Sequence, residues 1–291
     1  MGVDGGIKIL ENALRQEKDS LYVRKEIVHN TFLLNQYKAK GVVFVDEVDE
    51  IPLGGVVVFS THGVAPSVWE KAKERNLKVI DATCPLVTKV HKQAIMYKNM
   101  GYTIVLFGIH NHPEIIGTAA EAPEATIVIQ DESDFDKLNG IDGSRVAWLS
   151  QTTLNVDETK RLVAVLRERF PLLQDPPESC ICYATRNRQF AVKNVAGECD
   201  LFIAVGSRNS SNTLRLAEVA LESGAKFVCR IDYPEELEGF DFSSIKTIGI
   251  TSGVSVAPEQ LMNIILHLNN IGYDSLEERA VIVENNHNSG P

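Results

Sequence analysis

The sequence predicts an α/β protein made of three small parallel-sheet α/β domains, related by pseudo-threefold symmetry around a central cavity. Short apolar runs alternate with helical segments, an order typical of parallel sheets with right-handed crossovers. Three segments, beginning at Val42, Thr126 and Lys226, share one rhythm of strand, acidic turn, short helix, strand, polar loop and helix. Their second strands end in Ser or Thr, within FSTHG, LSQTT and ITSGV. This internal repeat predicts both the fold class and the number of domains.

Each of these segments follows a simpler unit of strand, polar loop and helix. These units are YVRKEIVHNTFLLNQYKAKG, TIVLFGIHNHPEIIGTAAEAP and LFIAVGSRNSSNTLRLAEVALESG. The second and third repeats open with a cysteine ahead of a helix, in CPLV and CYAT. We therefore place the domains at residues 1–84, 85–181 and 182–291, the last with a C-terminal tail. Because all the polar loops follow strands, we expect them at the carboxyl edges of the sheets, facing the cavity.

Composition excludes several classes of protein. The 291 residues are 44% hydrophobic and 23% charged, as in ordinary globular proteins, and the net charge is -10. No block of lysine and arginine is present, which argues against nucleic acid or an anionic membrane as the main partner. No apolar run approaches the ~20 residues of a membrane span, and the N-terminus does not resemble a signal peptide. Five scattered cysteines indicate a reduced, cytoplasmic protein without structural disulfides.

The stretch DATCPLVTKVH, Asp81–His91, places Cys84 between a strand and a helix. The apolar run KVI precedes it, and Pro85 stands at a first helical position. In open α/β folds the edge at which strands end carries the chemistry, although a single cysteine is more often buried and inert.

The spacing of the cysteines favours metal ligation. His112 follows Cys84 by 28 residues, and Ser210 follows Cys182 by 28 residues, so the cysteines occupy equivalent corners. A third cysteine 28 residues before His29 would stand at position 1, where the chain has Met1. Three thiolates around a threefold axis suit an iron–sulfur cluster with one open iron, or zinc with an open position. Cys180 is a possible substitute ligand, whereas Cys199 and Cys229 are predicted to be structural.

The polar loops together predict an anion site. Histidines, hydroxyls and amides from different repeats stand near helix starts, where backbone N–H groups and the helix dipole favour anions. Such groups make a phosphate or diphosphate site without lysine, and no P-loop or dinucleotide fingerprint is present. Each residue could instead be a plain helix cap, and Glu114 could cap a helix or carry a proton. The candidates are His29, His62, His112, Thr152, Thr153, Ser210, Ser211, Asn212 and Ser255.

These motifs resemble one family, 4-hydroxy-3-methylbut-2-enyl diphosphate reductase, the LytB-type iron–sulfur enzyme of the non-mevalonate isoprenoid pathway. The resemblance extends from about Gly2 to the Val281 region. It rests on motifs in order: HN at His29–Asn30, FSTHGV, DATCPLVTKVH, HPEIIGT, QTTLNVDET, CYATRNRQ, VGSRNSSN and GITSGVSVAPE. The family has three α/β domains around a [4Fe–4S] cluster, in agreement with the repeat.

The resemblance implies roles for the candidate residues. Cys84 and Cys182 match two of the three cysteines that hold the cluster. Glu114 matches a proton-relay acid, and Thr152 matches the hydroxyl that works with it. The remaining matches are residues of the diphosphate pocket, namely His29, His62, His112, Ser210, Ser211, Asn212 and Ser255.

The implied reaction is reductive dehydroxylation of (E)-4-hydroxy-3-methylbut-2-enyl diphosphate to isopentenyl and dimethylallyl diphosphate. In the family the open iron acts as a Lewis acid on the allylic hydroxyl. Two electrons come from an external donor such as ferredoxin or flavodoxin. By the same resemblance, Glu114 relays a proton so that the oxygen leaves as water.

The start of the chain departs from the family's pattern. The first cluster cysteine of the family lies in a Phe-Cys-Ala-Gly-Val run, whereas this chain begins Met-Gly-Val-Asp. Gly5–Gly6 replace the usual Arg-Ala, which we expect to weaken the first helix, since Gly costs about 1 kcal/mol against Ala. We expect a truncated or misassigned reductase that binds a complete cluster poorly and turns over slowly or not at all. The alternatives are a paralogue without a cluster that binds diphosphates without catalysis, and a zinc-dependent phosphohydrolase.

Overall fold

The computed structural model describes residues 2–17 and 19–279. Met1, where the cysteine spacing places a third ligand, and the Val281 region lie outside the described residues. The chain divides into two compact units, Met1–Cys182 and Tyr183–Pro291, and each is described by itself. Across the described part of the chain, no helix is long and apolar enough to cross a membrane.

The first unit holds two parallel sheets. The four-stranded sheet has the order β2-β1-β3-β4 and contains β1 (Leu21–Arg24), β2 (Val43–Val45), β3 (Val56–Phe59) and β4 (Lys78–Asp81). The three-stranded sheet has the order β6-β5-β7 and contains β5 (Thr103–Phe107), β6 (Thr126–Ile129) and β7 (Val146–Ser150). The helices of this unit are α1 (Val3–Gln16), α2 (Thr31–Ala39), α3 (Pro66–Glu74), α4 (Pro85–Asn99), α5 (Pro113–Glu121) and α6 (Val156–Arg169).

The second unit holds the third parallel sheet. Its order is β10-β8-β9, with β8 (Leu201–Val205), β9 (Phe227–Ile231) and β10 (Ile248–Ser252). Its helices are α7 (Tyr183–Val195), α8 (Ser211–Glu222) and α9 (Pro258–Asn270).

The three sheets share one strand order, in line with the predicted repeat. In each sheet the first strand of the repeat lies in the centre and the next two flank it, giving β2-β1-β3, β6-β5-β7 and β9-β8-β10. Beyond β3 lies β4, and at the matching edge of β7 a single parallel bridge joins Ala147 to Gln174. The predicted α/β class of three small parallel sheets is therefore confirmed, while the three domain boundaries stay a prediction.

Burial follows from the apolar runs. All residues of β3 and of β8 are buried, as expected for strands of a parallel sheet that are covered on both faces. Helix α4 begins at Pro85 and buries Val87, Val90 and Ala94 at helical spacing. These buried strands form the rigid base from which the polar loops project.

Helix α1 forms over Val3–Gln16 despite Gly5 and Gly6 in its first turn. It buries Leu10 and Ala13 completely or nearly so, and Gly6 is also buried. Tertiary packing of this face offsets the low helix propensity of Gly5–Gly6.

A buried histidine ties α4 to α5. The Nδ1 atom of His91 lies 2.9 Å from Oε1 of Glu121, and the ring is only 8% exposed. A Cβ on Gly63 would lie 3.1 Å from the ring, and a Cβ on Gly117 would lie 3.4 Å from it. The ring therefore fills the space that these two glycines leave open. This packing gives His91 a structural role.

We expect His91→Ala to lower the free energy of unfolding by about 2–4 kcal/mol, because it opens a cavity and leaves the Glu121 carboxyl unpaired. Urea unfolding monitored by circular dichroism measures the change. His110→Ala is the matched control: it removes a histidine–carboxylate pair with Asp134 whose imidazole is 38% exposed, and should cost about 0–1 kcal/mol. Equal losses of unfolding free energy in the two variants would contradict a structural role for His91.

Candidate active site

Two cysteines occupy equivalent positions beside two threonines. Cys84 precedes the first turn of α4, and its backbone N–H donates to the carbonyl oxygen of Thr61 at 3.0 Å. The N–H of Cys182 donates in the same way to Thr152 at 2.9 Å. Thr61 and Thr152 each lie two residues beyond the end of a strand, β3 and β7 respectively. The equivalence predicted from spacing is therefore visible in the hydrogen bonds.

Of the groups around the Cys84 sulfur, the backbone N–H donors favour a thiolate, whereas burial disfavours it. Burial raises the pKa of the Cys84 thiol, and the nearby charge of Cys182 raises it as well. The backbone N–H groups of Leu86 and Val87 lower this pKa, because they donate hydrogen bonds to the sulfur. N–H donors to sulfur are common around iron–sulfur clusters. A Cβ on Gly2 would lie 3.7 Å from Sγ of Cys84. These donors are compatible with a thiolate at Cys84, and metal binding by Cys84 and Cys182 stays a prediction.

No third ligand completes this site within residues 2–17 and 19–279. In that part of the chain no group of three or more His, Cys, Asp or Glu side chains is arranged to hold a metal ion. Cys180 is 2% exposed, and its Sγ lies 3.6 Å from Oε1 of Gln93. Burial raises its pKa to about 11, which disfavours the thiolate that a ligand requires.

Three histidines from three loops lie side by side in the first unit. The rings of His29 and His62 stack with centroids 4.1 Å apart. His112 meets both rings edge-on, at 5.1 Å from His29 and 5.6 Å from His62. These residues follow β1, β3 and β5, so the carboxyl ends of two sheets bring them together. The sequence predicted this convergence.

The surroundings of the histidines set their protonation. Burial, together with a smaller effect of the neighbouring His29, lowers the pKa of His112 to about 3. Burial also lowers the pKa of His62 well below its usual value, with smaller contributions from His29 and His112. Nδ1 of His112 accepts from the N–H of Glu114 at 3.2 Å, which assigns the proton of the neutral ring to Nε2. His112 therefore offers a hydrogen-bond donor to an anion.

Glu114 is a buried acid held by a single residue. Its Oε1 accepts from the backbone N–H of Thr152 at 2.6 Å, and its Oε2 accepts from the Thr152 hydroxyl at 3.0 Å. Burial raises the pKa of Glu114 to about 7, while the two bonds from Thr152 act in the opposite direction. A carboxyl with this pKa can both hold and release a proton near neutral pH.

The second unit carries a buried polar loop at the end of β8. Ser210 caps α8, where its Oγ accepts from the N–H of Thr213 at 3.3 Å. Asn212 is 5% exposed, and both its amide nitrogen and its amide oxygen are buried without a hydrogen-bond partner in the part of the chain that the structure describes. Buried polar groups are rarely left so unless they meet a ligand or water. Ser211 and Ser255 are also buried.

The remaining cysteines and a nearby cavity are separate from these loops. Cys199 is 3% exposed, and Cys229 lies in β9 packed against the core, as their structural assignment predicts. A cavity of about 570 Å³ runs along β10 and borders Cys199, α7 and α9. None of Ser210, Ser211, Asn212 and Ser255 lines it.

Sequence reasoning missed the residues that orient the histidines. The carboxyl of Glu26 lies 2.8 Å from Nδ1 of His29, and the hydroxyl of Ser60 lies 3.3 Å from Nδ1 of His62. Thr61 was also not singled out. All three lie within three residues of a predicted site histidine, and this proximity was the available signal.

The fold and these loops define an α/β protein of three parallel sheets, whose polar loops hold three clustered imidazoles and the buried acid Glu114. The chain belongs to the LytB protein family, whose family model matches residues 1–269. It is 50% identical to the 4-hydroxy-3-methylbut-2-enyl diphosphate reductase of Acidothermus cellulolyticus, covering 95% of this chain and 82% of that protein. It is 53% identical to the reductase of Nocardia farcinica, covering 92% and 79%.

Solved structures show the same similarity. The structure of the E-1-hydroxy-2-methyl-but-2-enyl-4-diphosphate reductase from Plasmodium falciparum matches with a TM-score of 0.90 and 34% identity, covering 94% of this chain and 86% of that one. A second structure, of (E)-4-hydroxy-3-methyl-but-2-enyl diphosphate reductase, matches with a TM-score of 0.66 and 32% identity, covering 93% and 95%.

Proposed function

We propose that this chain reduces (E)-4-hydroxy-3-methylbut-2-enyl diphosphate to isopentenyl and dimethylallyl diphosphate. The observation that carries the proposal is the buried carboxyl of Glu114, bonded twice to Thr152, whose carbonyl oxygen also holds the backbone of Cys182. This arrangement links a proton donor to a thiol ligand through one residue. The names of the relatives, at about 50% identity, support the same substrate.

The residues of the first unit would bind and orient the substrate. The Nε2–H of His112 and the stacked rings of His29 and His62 would donate to the diphosphate. Proton uptake by His62 and His112, whose pKa values are lowered by burial in the free protein, would neutralise part of the ligand's charge. The protonated carboxyl of Glu114 would supply the proton with which the hydroxyl oxygen leaves as water.

The second unit would contribute further donors. The unpaired amide of Asn212 and the first turn of α8 are suited to phosphate oxygens. Ser210, Ser211 and Ser255 remain predicted substrate contacts.

Cys84 and Cys182 would hold two corners of a [4Fe–4S] cluster. When bound, such a cluster would pass on the two electrons that the external donor supplies, and would provide Lewis acidity toward the hydroxyl. The protein's own part is to position the substrate, exclude water and hold the proton on Glu114. We propose a small electron-transfer protein as the donor, and a cytoplasmic location stays a prediction.

A paralogue that only binds diphosphates is the less favoured function. Such a protein would have no use for a buried acid with a pKa near neutrality, or for two thiols at matching corners. The presence of Glu114, Cys84 and Cys182 in this arrangement favours the reductase.

The decisive test is anaerobic reconstitution with iron and sulfide, followed by iron and acid-labile sulfide analysis and an assay of product formation with a viologen reductant. It should be run on this chain and on a chain with Phe-Cys-Ala ahead of Gly2. We expect the extended chain to bind more iron and to form both products. Product from neither chain would overturn the proposal.

Substitution of either thiol should lower metal loading. We expect Cys84→Ser and Cys182→Ser to reduce the iron bound per chain to a small fraction, because a metal site loses affinity steeply with each ligand removed. Cys229→Ser is the matched control, since this thiol lies half-buried in β9. Equal iron in all three variants would exclude Cys84 and Cys182 as ligands.

A further inference from the structure

Two glycines at the start of α1, Gly2 and Gly6, face Cys84 and Thr61 respectively. Gly2 precedes the helix, Gly6 lies one turn later, and the N–H of Gly6 donates to the carbonyl oxygen of Gly2 at 3.0 Å. A Cβ on Gly2 would lie 3.7 Å from Sγ of Cys84, and a Cβ on Gly6 would lie 2.2 Å from Cγ2 of Thr61. Residues four apart share a helix face, so one glycine face covers both Thr61 and Cys84.

The contact at Gly6 leaves no room for a side chain. Carbon atoms in contact are normally about 3.5–4.0 Å apart, so a methyl group at 2.2 Å from Cγ2 of Thr61 forces something to move. Thr61 cannot turn away without loss, because it is 4% exposed and its hydroxyl donates to the carbonyl oxygen of Ile27 at 2.9 Å. Its β-branched side chain also has few alternative rotamers.

Thr61 connects three parts of the site. Both its N–H and its hydroxyl donate to Ile27, two residues ahead of His29. Its carbonyl oxygen accepts from the N–H of Cys84, and its chain neighbour is His62. It stands where Thr152 stands in the second repeat, and Thr152 likewise holds a cysteine backbone. A shift of Thr61 would therefore move a ligand and two histidine loops together.

We propose that Gly6 and Thr61 form a size-matched pair that seats the first turn of α1 against the thiol of Cys84. Thr61 is the positioning residue, and glycine at position 6 accommodates its methyl group. The glycine at position 6 therefore makes room for the Thr61 methyl group, at the cost of some helix propensity. The contact between Gly6 and Thr61 is given by the geometry. The inference that this contact affects cluster binding rests on the proposed function.

A double-mutant cycle on the metal-free protein tests the pair. Gly6→Ala should lower the Tm by several degrees and make Cys84 react with iodoacetamide roughly tenfold faster, because α1 no longer covers the thiol. Thr61→Ser keeps the hydroxyl and removes the methyl, so it should change both values little. The double variant Gly6→Ala/Thr61→Ser should return both toward wild type. Peptide mass spectrometry assigns the alkylation to Cys84.

Gly5→Ala is the matched control on the same turn. Gly5 is only partly buried, so alanine there should raise helix propensity and leave the reactivity of Cys84 unchanged. The proposal is overturned if Gly6→Ala changes neither readout, or if the double variant is as impaired as Gly6→Ala. If Gly6→Ala fails to fold, folding of the double variant supports the pair and its failure overturns it. None of these readouts needs turnover, so they remain decisive even if the proposed reaction is absent.

Discussion

Replacing Glu114 with glutamine is expected to lower the rate of reductive dehydroxylation by about 10²–10⁴-fold in the cluster-loaded protein, since a positioned general acid contributes on this order. Glutamine keeps the shape and can still accept the 2.6 Å bond from the N–H of Thr152, but it cannot supply the proton. Product formation under reducing conditions measures the change. The visible spectrum of the cluster should be the same in both proteins.

The control for this substitution is Glu124→Gln, an exposed carboxyl shortly after α5. It should leave the rate unchanged. An E114Q protein that retains the wild-type rate would end the assignment of Glu114 as the proton donor.

The same substitution has a pH-dependent effect on stability that needs no cluster. The pKa of Glu114 is raised from 4.5 to about 7 by burial, so the folded chain keeps this proton where the unfolded chain releases it. The stability contributed by proton binding is fully present below pH 4.5 and is lost as the pH rises through about 7. At higher pH the buried carboxylate costs roughly 3 kcal/mol, and E114Q should be the more stable protein by up to this amount. Urea unfolding of both proteins across this range tests the sign.

Substitution of His112 should produce the second large effect, on the binding of inorganic diphosphate. Removing its Nε2–H donor with His112→Asn is expected to weaken binding by about 10–100-fold, the loss of a hydrogen bond to a charged group. His110→Asn is the control, because His110 lies two residues away and pairs with Asp134 at 2.7 Å. Isothermal titration calorimetry measures both affinities. Equal losses would mean that His112 does not contact the anion.

Diphosphate binding should also be coupled to proton uptake. The pKa values of His62 and His112 lie below the usual 6.5 in the free protein, mainly through burial, and an adjacent anion raises them. Binding therefore tightens as the pH falls below the pKa values that the two imidazoles reach in the complex, and the heat of binding depends on the buffer. The His112→Asn variant shows how much of this dependence belongs to the diphosphate itself. If the affinity of the variant for diphosphate depends on pH as strongly as that of wild type, His112 does not take up the proton.

Local patterns account for the parts of the site that the sequence predicted. Pro85 and Pro113 start helices, and Cys84 and His112 stand immediately before them, so their positions at strand-to-helix turns follow from near neighbours. The equal spacing of Cys84–His112 and Cys182–Ser210 reflects a repeated supersecondary unit. His112 and Ser210 indeed cap equivalent helices.

Contacts between distant segments could not be predicted in this way. Glu114 meets Thr152 across 38 positions, and Gly6 meets Thr61 through packing of α1 on a loop. Such contacts depend on how helices seat on sheets to within an ångström, a quantity that hydrophobic periodicity does not encode. The expectation that Gly5–Gly6 only weaken α1 overlooked the steric role of Gly6 for this reason.

The sequence by itself determined the three-repeat α/β class, the LytB resemblance and the residue types of the site, because these depend on local pattern and order along the chain. Only the tertiary structure decided which strand is central in each sheet, that the centroids of three imidazole rings lie 4.1–5.6 Å apart, and that one threonine binds Glu114 twice. It also decided the acidity of the site. The pKa of Glu114 depends on removal of water from around the carboxyl, and desolvation arises only when separate segments close over it.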